Sequence, residues 1–180
     1  MMIVPGPASQ ELGLRVADLL KVKAVPMLYK NFPDGEFYLR FGGDVAGEEV
    51  VVIQSTGPPQ DTHMIQLLLM IDAAKDLGAE RVVAVVPYLA YARQDKRFLS
   101  GEAFSIKTIM KFLEACEVDL VVTVNFHNPH VLKDFKVSVT NLSAVGLLAE
   151  YFRDRGFEGA FSLTLGKIAP KVANQADKVL

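Results

Sequence analysis

An α/β fold, with a mostly parallel sheet flanked by helices, is what these 180 residues predict. Two observations carry the prediction. Short apolar runs alternate with helix-length periodic segments from one end of the chain to the other. Several runs are also β-branched without polar alternation, as expected of strands covered on both faces. Strand, helix, strand at this spacing implies crossover connections and parallel pairing. Half of the sequence (51%) is hydrophobic and 22% is charged, enough for a substantial core. Mean hydropathy is +0.25, yet no apolar run approaches the roughly 20 residues that span a bilayer. The surplus apolar surface belongs in a buried sheet or at a subunit interface.

In chain order, Met2–Pro5 reads as a strand broken by Gly6-Pro7. Ser9 then predicts a cap for an amphipathic helix with Leu12, Val16, Leu19 and Leu20 inward. Lys23–Tyr29 and Glu36–Arg40 read as strands around a turn-rich Phe32-Pro33-Asp34-Gly35. Glu49–Gln54 contains Val50 to Ile53, four consecutive β-branched residues. Thr56-Gly57-Pro58-Pro59 ends that strand, and a helix runs to about Leu77. Arg81–Pro87 and Leu120–Asn125 are buried-strand candidates, with a helix over Ser105–Cys116 between them. Val137–Asn141 begins a second series, followed by a helix over Ser143–Arg155, a strand near Phe161–Thr164, and a helix from Pro170, a first-turn proline. The expected division is one domain over residues 1–140 and the start of another over 141–180.

Charge and cysteine content exclude several classes. A net charge of −2 and a pI near 5.9 give no global basic field for nucleic acid. Cys116 is the only cysteine, so no intramolecular disulfide or cysteine-rich metal site arises within these residues. The first residues lack the pattern of a secretion signal, and the cytoplasm is the expected location.

Three polar clusters follow predicted strands, where open parallel sheets collect ligands. Tyr88 to Arg97 places three cations, an amide and two tyrosines at one exit. Arg93 and Gln94 supply fixed donors suited to phosphate oxygens, although a solvated basic loop has the same composition. Asn125-Phe126-His127-Asn128-Pro129-His130 suits a hydrated Mg²⁺ or a phosphate, or else a plain surface loop. Phe32-Pro33-Asp34-Gly35-Glu36 combines an aromatic face with acceptors that suit adenine, and is equally a decorated hairpin turn. Walker and dinucleotide fingerprints are both missing.

Taken together, the clusters resemble the ribose-phosphate pyrophosphokinase family, also called phosphoribosyl pyrophosphate synthetases. The resemblance rests on an ordered set of strings: Phe32 to Glu36, Gln54-Ser55-Thr56, Leu68 to Ala73, Pro87 to Asp95, Thr123 to His127, and Asn141 to Ala144. Loop economy is similar to that of archaeal members. The resemblance implies a type I phosphoribosyltransferase-like fold, and pyrophosphoryl transfer from ATP to ribose 5-phosphate with Mg²⁺. It implies that Asp34, Gly35 and Glu36 hold adenine with Phe32 stacked on it, that this loop enters a neighbouring subunit's site, that Arg93 and Gln94 hold the ATP phosphates, and that His127 serves the metal. Asn125 stands where many members have aspartate.

The family's mobile lysine- and arginine-bearing loop and its acidic, threonine- and glycine-rich ribose-phosphate loop do not occur in these residues. The family's aspartate-lysine-glycine turn aligns with Gly166, Lys167 and Ile168, without the acidic ligand. The expectation is a truncated member with no catalytic residue in this chain, inactive alone. It would form at least a homodimer or join a full-length synthetase. The alternative is a non-catalytic regulatory or scaffold subunit.

Overall fold

The structure, a computed structural model, describes residues 1–163 and 170–180. They fall into two compact units, Met1–Asn141 and Leu142–Leu180. The first unit opens with β1 (Met2–Pro5), a 3-10 turn at Pro7–Ser9, α1 (Gln10–Leu20) and β2 (Lys23–Ala24). A hairpin of β3 (Met27–Asn31) and β4 (Phe37–Phe41) follows, then β5 (Glu49–Ile53), α2 (Gln60–Asp76) and β6 (Arg81–Val86). α3 (Ser105–Ala115), β7 (Leu120–Val124), a 3-10 turn at Pro129–Asp134 and β8 (Ser138–Leu142) complete it.

Six strands form one sheet in the order β2-β1-β5-β6-β7-β8. The pairings of β1 with β2, β1 with β5, β5 with β6 and β6 with β7 are all parallel, as the β-branched runs predict. β5 and β6 bury residues on both faces. α2 turns Met64, Leu67, Met70, Ile71 and Ala74 inward, and α3 turns Ile106, Ile109, Met110 and Leu113 inward, so helical periodicity decides their packing. All nine belong to one core cluster with Val50, Val52, Val82 and Val121.

Several expectations are corrected. The single strand over Lys23–Tyr29 divides into β2 and β3, because Pro26 has no N–H to continue a ladder. Val25 donates to the Ile3 carbonyl at 2.8 Å, and the Pro26 carbonyl accepts from Gly42 at 2.8 Å. On α1 the buried residues are Gly13 and Ala17, while Leu12 and Leu20 are exposed and Leu19 is 78% exposed. Ser9 does not cap α1 with its side chain; its hydroxyl accepts from the Ser55 amide at 2.8 Å. The strand expected at Val137–Asn141 forms as β8 at the edge of the six-stranded sheet, rather than opening a separate series. Cys116, at the end of α3, is partly buried and packs against the core.

In the second unit, α4 (Val145–Arg153) buries Val145 and Ala149, and α5 (Pro170–Ala176) begins at the proline expected in its first turn. Phe161–Leu163 is not a strand; Thr164, Gly166, Lys167 and Ile168 lie outside the described residues. No helix among the described residues is long and apolar enough to cross a membrane.

Asp119 fastens the far end of the sheet. Its carboxylate accepts from Lys75 at 2.6 Å and from the Val82 amide at 2.7 Å. Burial pushes its carboxyl up, but the hydrogen bonds from Lys75 and Val82, with the charges of Lys75 and Arg81, outweigh that and hold it below its ordinary value. A folded value below the unfolded one, about 3.9, gives stabilisation present above that pH and lost as pH falls through the folded value. The pair is partly exposed, so screening limits it to about 1 kcal/mol. Asp119→Asn is expected to lower the Tm by about 3 °C at pH 7. The gap between the two melting curves should begin to narrow at about pH 4 and close as the pH falls through the lower folded value.

Candidate functional site

Three neighbouring parallel strands deliver their loops to one edge of the sheet. The first turn of α2, after β5, brings Gln60 and Asp61; the exit of β6 brings Tyr88 to Gln94; the end of β7 and its exit bring Thr123 to His127. These residues line a single cavity of about 800 Å³, within the size range of small-molecule sites. Its position beyond the carboxyl ends of the strands is the one an open α/β sheet favours. The cavity does not reach the β1/β5 junction, where strand order reverses. There the Gln54 side chain accepts from the Ala8 amide at 2.9 Å and Ser9 accepts from Ser55, so polar side chains already occupy that crevice.

The wall after β6 is pinned from behind. Thr56 donates to the Tyr88 carbonyl from its amide at 2.9 Å and from its hydroxyl at 2.8 Å, and that hydroxyl accepts from the Ala90 amide at 2.8 Å. Leu89, Ala90 and Ala92 are buried, which leaves Tyr91 and Arg93 projecting outward. Tyr91 has φ 64° and Asn125 has φ 49°, both left-handed without being glycine. Such strain collects at functional loops and needs surrounding structure to hold it.

The Tyr91 hydroxyl donates to the Asp61 carboxylate, tying the loop to the start of α2. That hydrogen bond, followed by burial and the Asp61 charge, raises the Tyr91 phenol above its ordinary value, so it remains a donor at neutral pH. Gln94 donates to the Lys96 carbonyl at 3.1 Å and to Glu102 at 3.3 Å. The Glu102 carboxylate also accepts from the Leu99 and Phe98 amides, and these bonds hold its carboxyl below the ordinary value.

The structure thus brings Arg93, Gln94, Asn125 and His127 to one cavity. Phe32, Asp34, Gly35 and Glu36 are not among its lining residues. They form the turn between β3 and β4, where Gly35 donates to the Phe32 carbonyl at 2.9 Å with φ 93°, a conformation that favours glycine. The Asp34 carboxylate accepts from the Glu36 amide at 3.1 Å. Phe32 is 41% exposed, edge-to-face with Tyr38 at 6.0 Å, with the Lys30 ammonium 5.3 Å from its ring.

Sequence reasoning passed over Asp61 and Thr123 as site residues. Thr123 carries a buried hydroxyl with no hydrogen-bond partner, and it is the single polar residue in β7, a signal visible in the sequence. Asp61 gave no such signal, since a first-turn acid on a helix is commonplace.

The arrangement presents a guanidinium, amides and an imidazole to a partly open polar cavity, which suits a polyphosphate. A cation held by protein alone does not fit: no group of three or more His, Cys, Asp or Glu able to hold one occurs among the described residues. The donors fit a Mg²⁺ whose ligands come mostly from phosphates and water. A second cavity, about 410 Å³, lies in the Leu142–Leu180 unit and carries no charged side chain among its described lining residues.

Comparison with known proteins supplies an independent line. Residues 1–116 match the family model for the N-terminal domain of ribose phosphate pyrophosphokinase. A ribose-phosphate pyrophosphokinase of Methanobrevibacter smithii is 42% identical over 179 residues, covering 99% of this chain and 60% of the relative. That of Methanothermobacter thermautotrophicus is 49% identical over 150 residues, covering 83% of this chain and 52% of the relative. The crystal structure of phosphoribosylpyrophosphate synthetase from Mycobacterium smegmatis superposes with a TM-score of 0.80 at 32% identity, covering 85% of this chain and 51% of that one. The chain spans about half to three-fifths of the length of these relatives.

Proposed function

The chain belongs to the ribose-phosphate pyrophosphokinase family, and on that premise we propose that the cavity at the exits of β5, β6 and β7 is the phosphate end of a Mg·ATP site serving pyrophosphoryl transfer to ribose 5-phosphate. The observation that carries the reading is the meeting of Arg93, Gln94 and His127 in one cavity although 32 residues separate Gln94 from His127 in the chain. Arg93 binds and orients phosphate oxygens through its fixed fork of donors. The Gln94 amide, which donates to the Lys96 carbonyl and to Glu102, steadies the loop beside it and turns a donor to phosphate only by exchanging one of those bonds. His127 stands on the opposite loop, where it orients the metal's water or phosphate ligands. Bound Mg²⁺ supplies charge neutralisation on the phosphates; the chain's own part is alignment and donation, which is most of what phosphoryl-type transfer needs.

Because the Phe32–Glu36 turn does not line this cavity, the adenine end of the site is proposed to come from the same turn of a second copy, in at least a dimer. Exposed Phe32 offers a stacking face for the base, and Asp34 and Glu36 offer acceptors for its amine. The family's ribose-phosphate loop and its cationic loop are missing from these 180 residues. The chain is therefore proposed to bind nucleotide without turning over.

Calorimetric titration with Mg·ATP, paired with an assay for AMP release, tests this. The expected outcome is binding without AMP release, weakened about 10- to 100-fold in Arg93→Ala through loss of a charged hydrogen-bonding pair. Mixing Phe32→Ala with Arg93→Ala chains should restore about one quarter of the sites, because each mixed dimer can rebuild one. No binding, or an Arg93→Ala chain that binds as well as the original, would reject the reading. AMP release from the chain with ribose 5-phosphate would reject its incompleteness.

A further inference from the structure

We infer that Asp95 and Asn128 are positioning residues that clamp the loop carrying His127 to the loop carrying Arg93, so that the two cavity walls meet a polyphosphate as one unit. The inference rests on the nucleotide reading above and extends it to two residues that do not line the cavity. Asp95 is 9% exposed, and it is the one charged side chain among the described residues that is buried. None of the ion pairs formed by the described residues includes it. A buried carboxylate without a cation is costly unless a donor meets it. Here the donor is the Asn128 side-chain amide, at 2.5 Å.

Both ends of that amide are committed. While Nδ2 donates to Asp95, Oδ1 accepts from the His130 amide at 3.2 Å and caps the 3-10 turn Pro129–Asp134. The orientation of Asn128 is thereby determined from two sides, and His127 is its immediate neighbour. Asp95 is likewise two residues from Arg93, on a loop also anchored by Thr56, Asp61 and Glu102. One hydrogen bond therefore spans 33 residues of sequence and joins the segments that follow β6 and β7, next to residues that line the cavity. The carboxylate sits there rather than in the cavity wall, where it would repel phosphates. Neither residue needs to touch the ligand.

The test measures Mg·ATP affinity by calorimetry on the full chain, with the Tm of each variant recorded as a check of folding. Asn128→Ser keeps a short acceptor for the His130 amide but cannot reach Asp95, which separates the clamp from the cap. Asn128→Ser and His127→Ala are each expected to weaken affinity about 10-fold, and the double variant no more than about 2-fold further, because an unclamped His127 has little left to lose. Asp95→Asn retains an acceptor oxygen at the same place and should stay within about 3-fold of the original chain. Losses that multiply to about 100-fold in the double variant, or an Asn128→Ser chain with unchanged affinity, overturn the clamp while the nucleotide reading stands. An original chain that does not bind Mg·ATP overturns the nucleotide reading first, and the clamp with it.

Discussion

Gln54→Leu is expected to destabilise the protein by about 2–4 kcal/mol, because the buried Gln66 side chain and the partly buried Ala8 amide lose their partners at about 1–3 kcal/mol each. Gln54 is 0% exposed. Its carbonyl oxygen accepts from the Ala8 amide at 2.9 Å, and its amide donates to the Gln66 side chain at 3.1 Å and to the His63 carbonyl at 3.4 Å. One side chain thus joins the turn before α1 to the middle of α2, across the end of β5. Leucine matches the volume but offers nothing to the Ala8 N–H or to Gln66, itself buried. Gly6 belongs to the same arrangement: a Cβ there would stand 2.3 Å from the Gln54 side-chain oxygen. Chemical denaturation read by circular dichroism gives the free energy directly. A change under about 1 kcal/mol would show that the network is not a stabilising one.

Gly13→Val is expected to cost about 3 kcal/mol by overpacking, against a gain of at most about 1 kcal/mol in helix propensity. A Cβ at Gly13 would meet the Pro5 Cβ at 2.7 Å and the Pro5 Cα at 3.0 Å. Backbone at that distance cannot swing aside as a flexible side-chain tip can, so α1 would be levered off β1. Leu19→Ser supplies the contrast. Although Leu19 belongs to the face that hydrophobic spacing points inward, its exposure makes the expected change in the isolated chain less than about 0.5 kcal/mol. Parallel denaturation curves of the two variants decide the matter; equal losses would put the leucine face, rather than the glycine, against the sheet.

α1 shows where sequence reading stopped. The spacing of Leu12, Val16, Leu19 and Leu20 is amphipathic, yet helix-to-sheet distance is set by the smallest residues at the contact. Only the position of Pro5 makes Gly13 and Ala17 that contact. On α2 and α3, by contrast, the large apolar residues are themselves the contact surface. Val50 to Ile53 likewise read correctly as a strand buried on both sides, because β-branching and the lack of alternation are local properties of the chain. Pro26 was equally local and could have divided the run Lys23–Tyr29 from the outset.

For the candidate site, the chemically apt residues were legible, whereas their grouping was not. Arg93, Gln94 and His127 stood out by type and by their place after predicted strands, and the ordered strings pointed to the family. That Arg93 and His127 share a cavity depends on β6 pairing with β7 in parallel, with Val86 opposite Thr123. That Phe32 lies apart from them depends on β3 and β4 pairing with each other instead of joining the six-stranded sheet.

By itself, then, the sequence determined the alternation of strand and helix, the parallel character of the sheet and which polar residues follow its strands. Each of these follows from near neighbours in the chain, through periodicity, branching and turn chemistry. The tertiary structure decided which face of α1 is buried, that β8 joins the sheet edge, and that the exits of β5, β6 and β7 converge with Asp95 bonded to Asn128 beside them. Those outcomes depend on contacts between surfaces far apart in sequence, whose mutual fit no local pattern records.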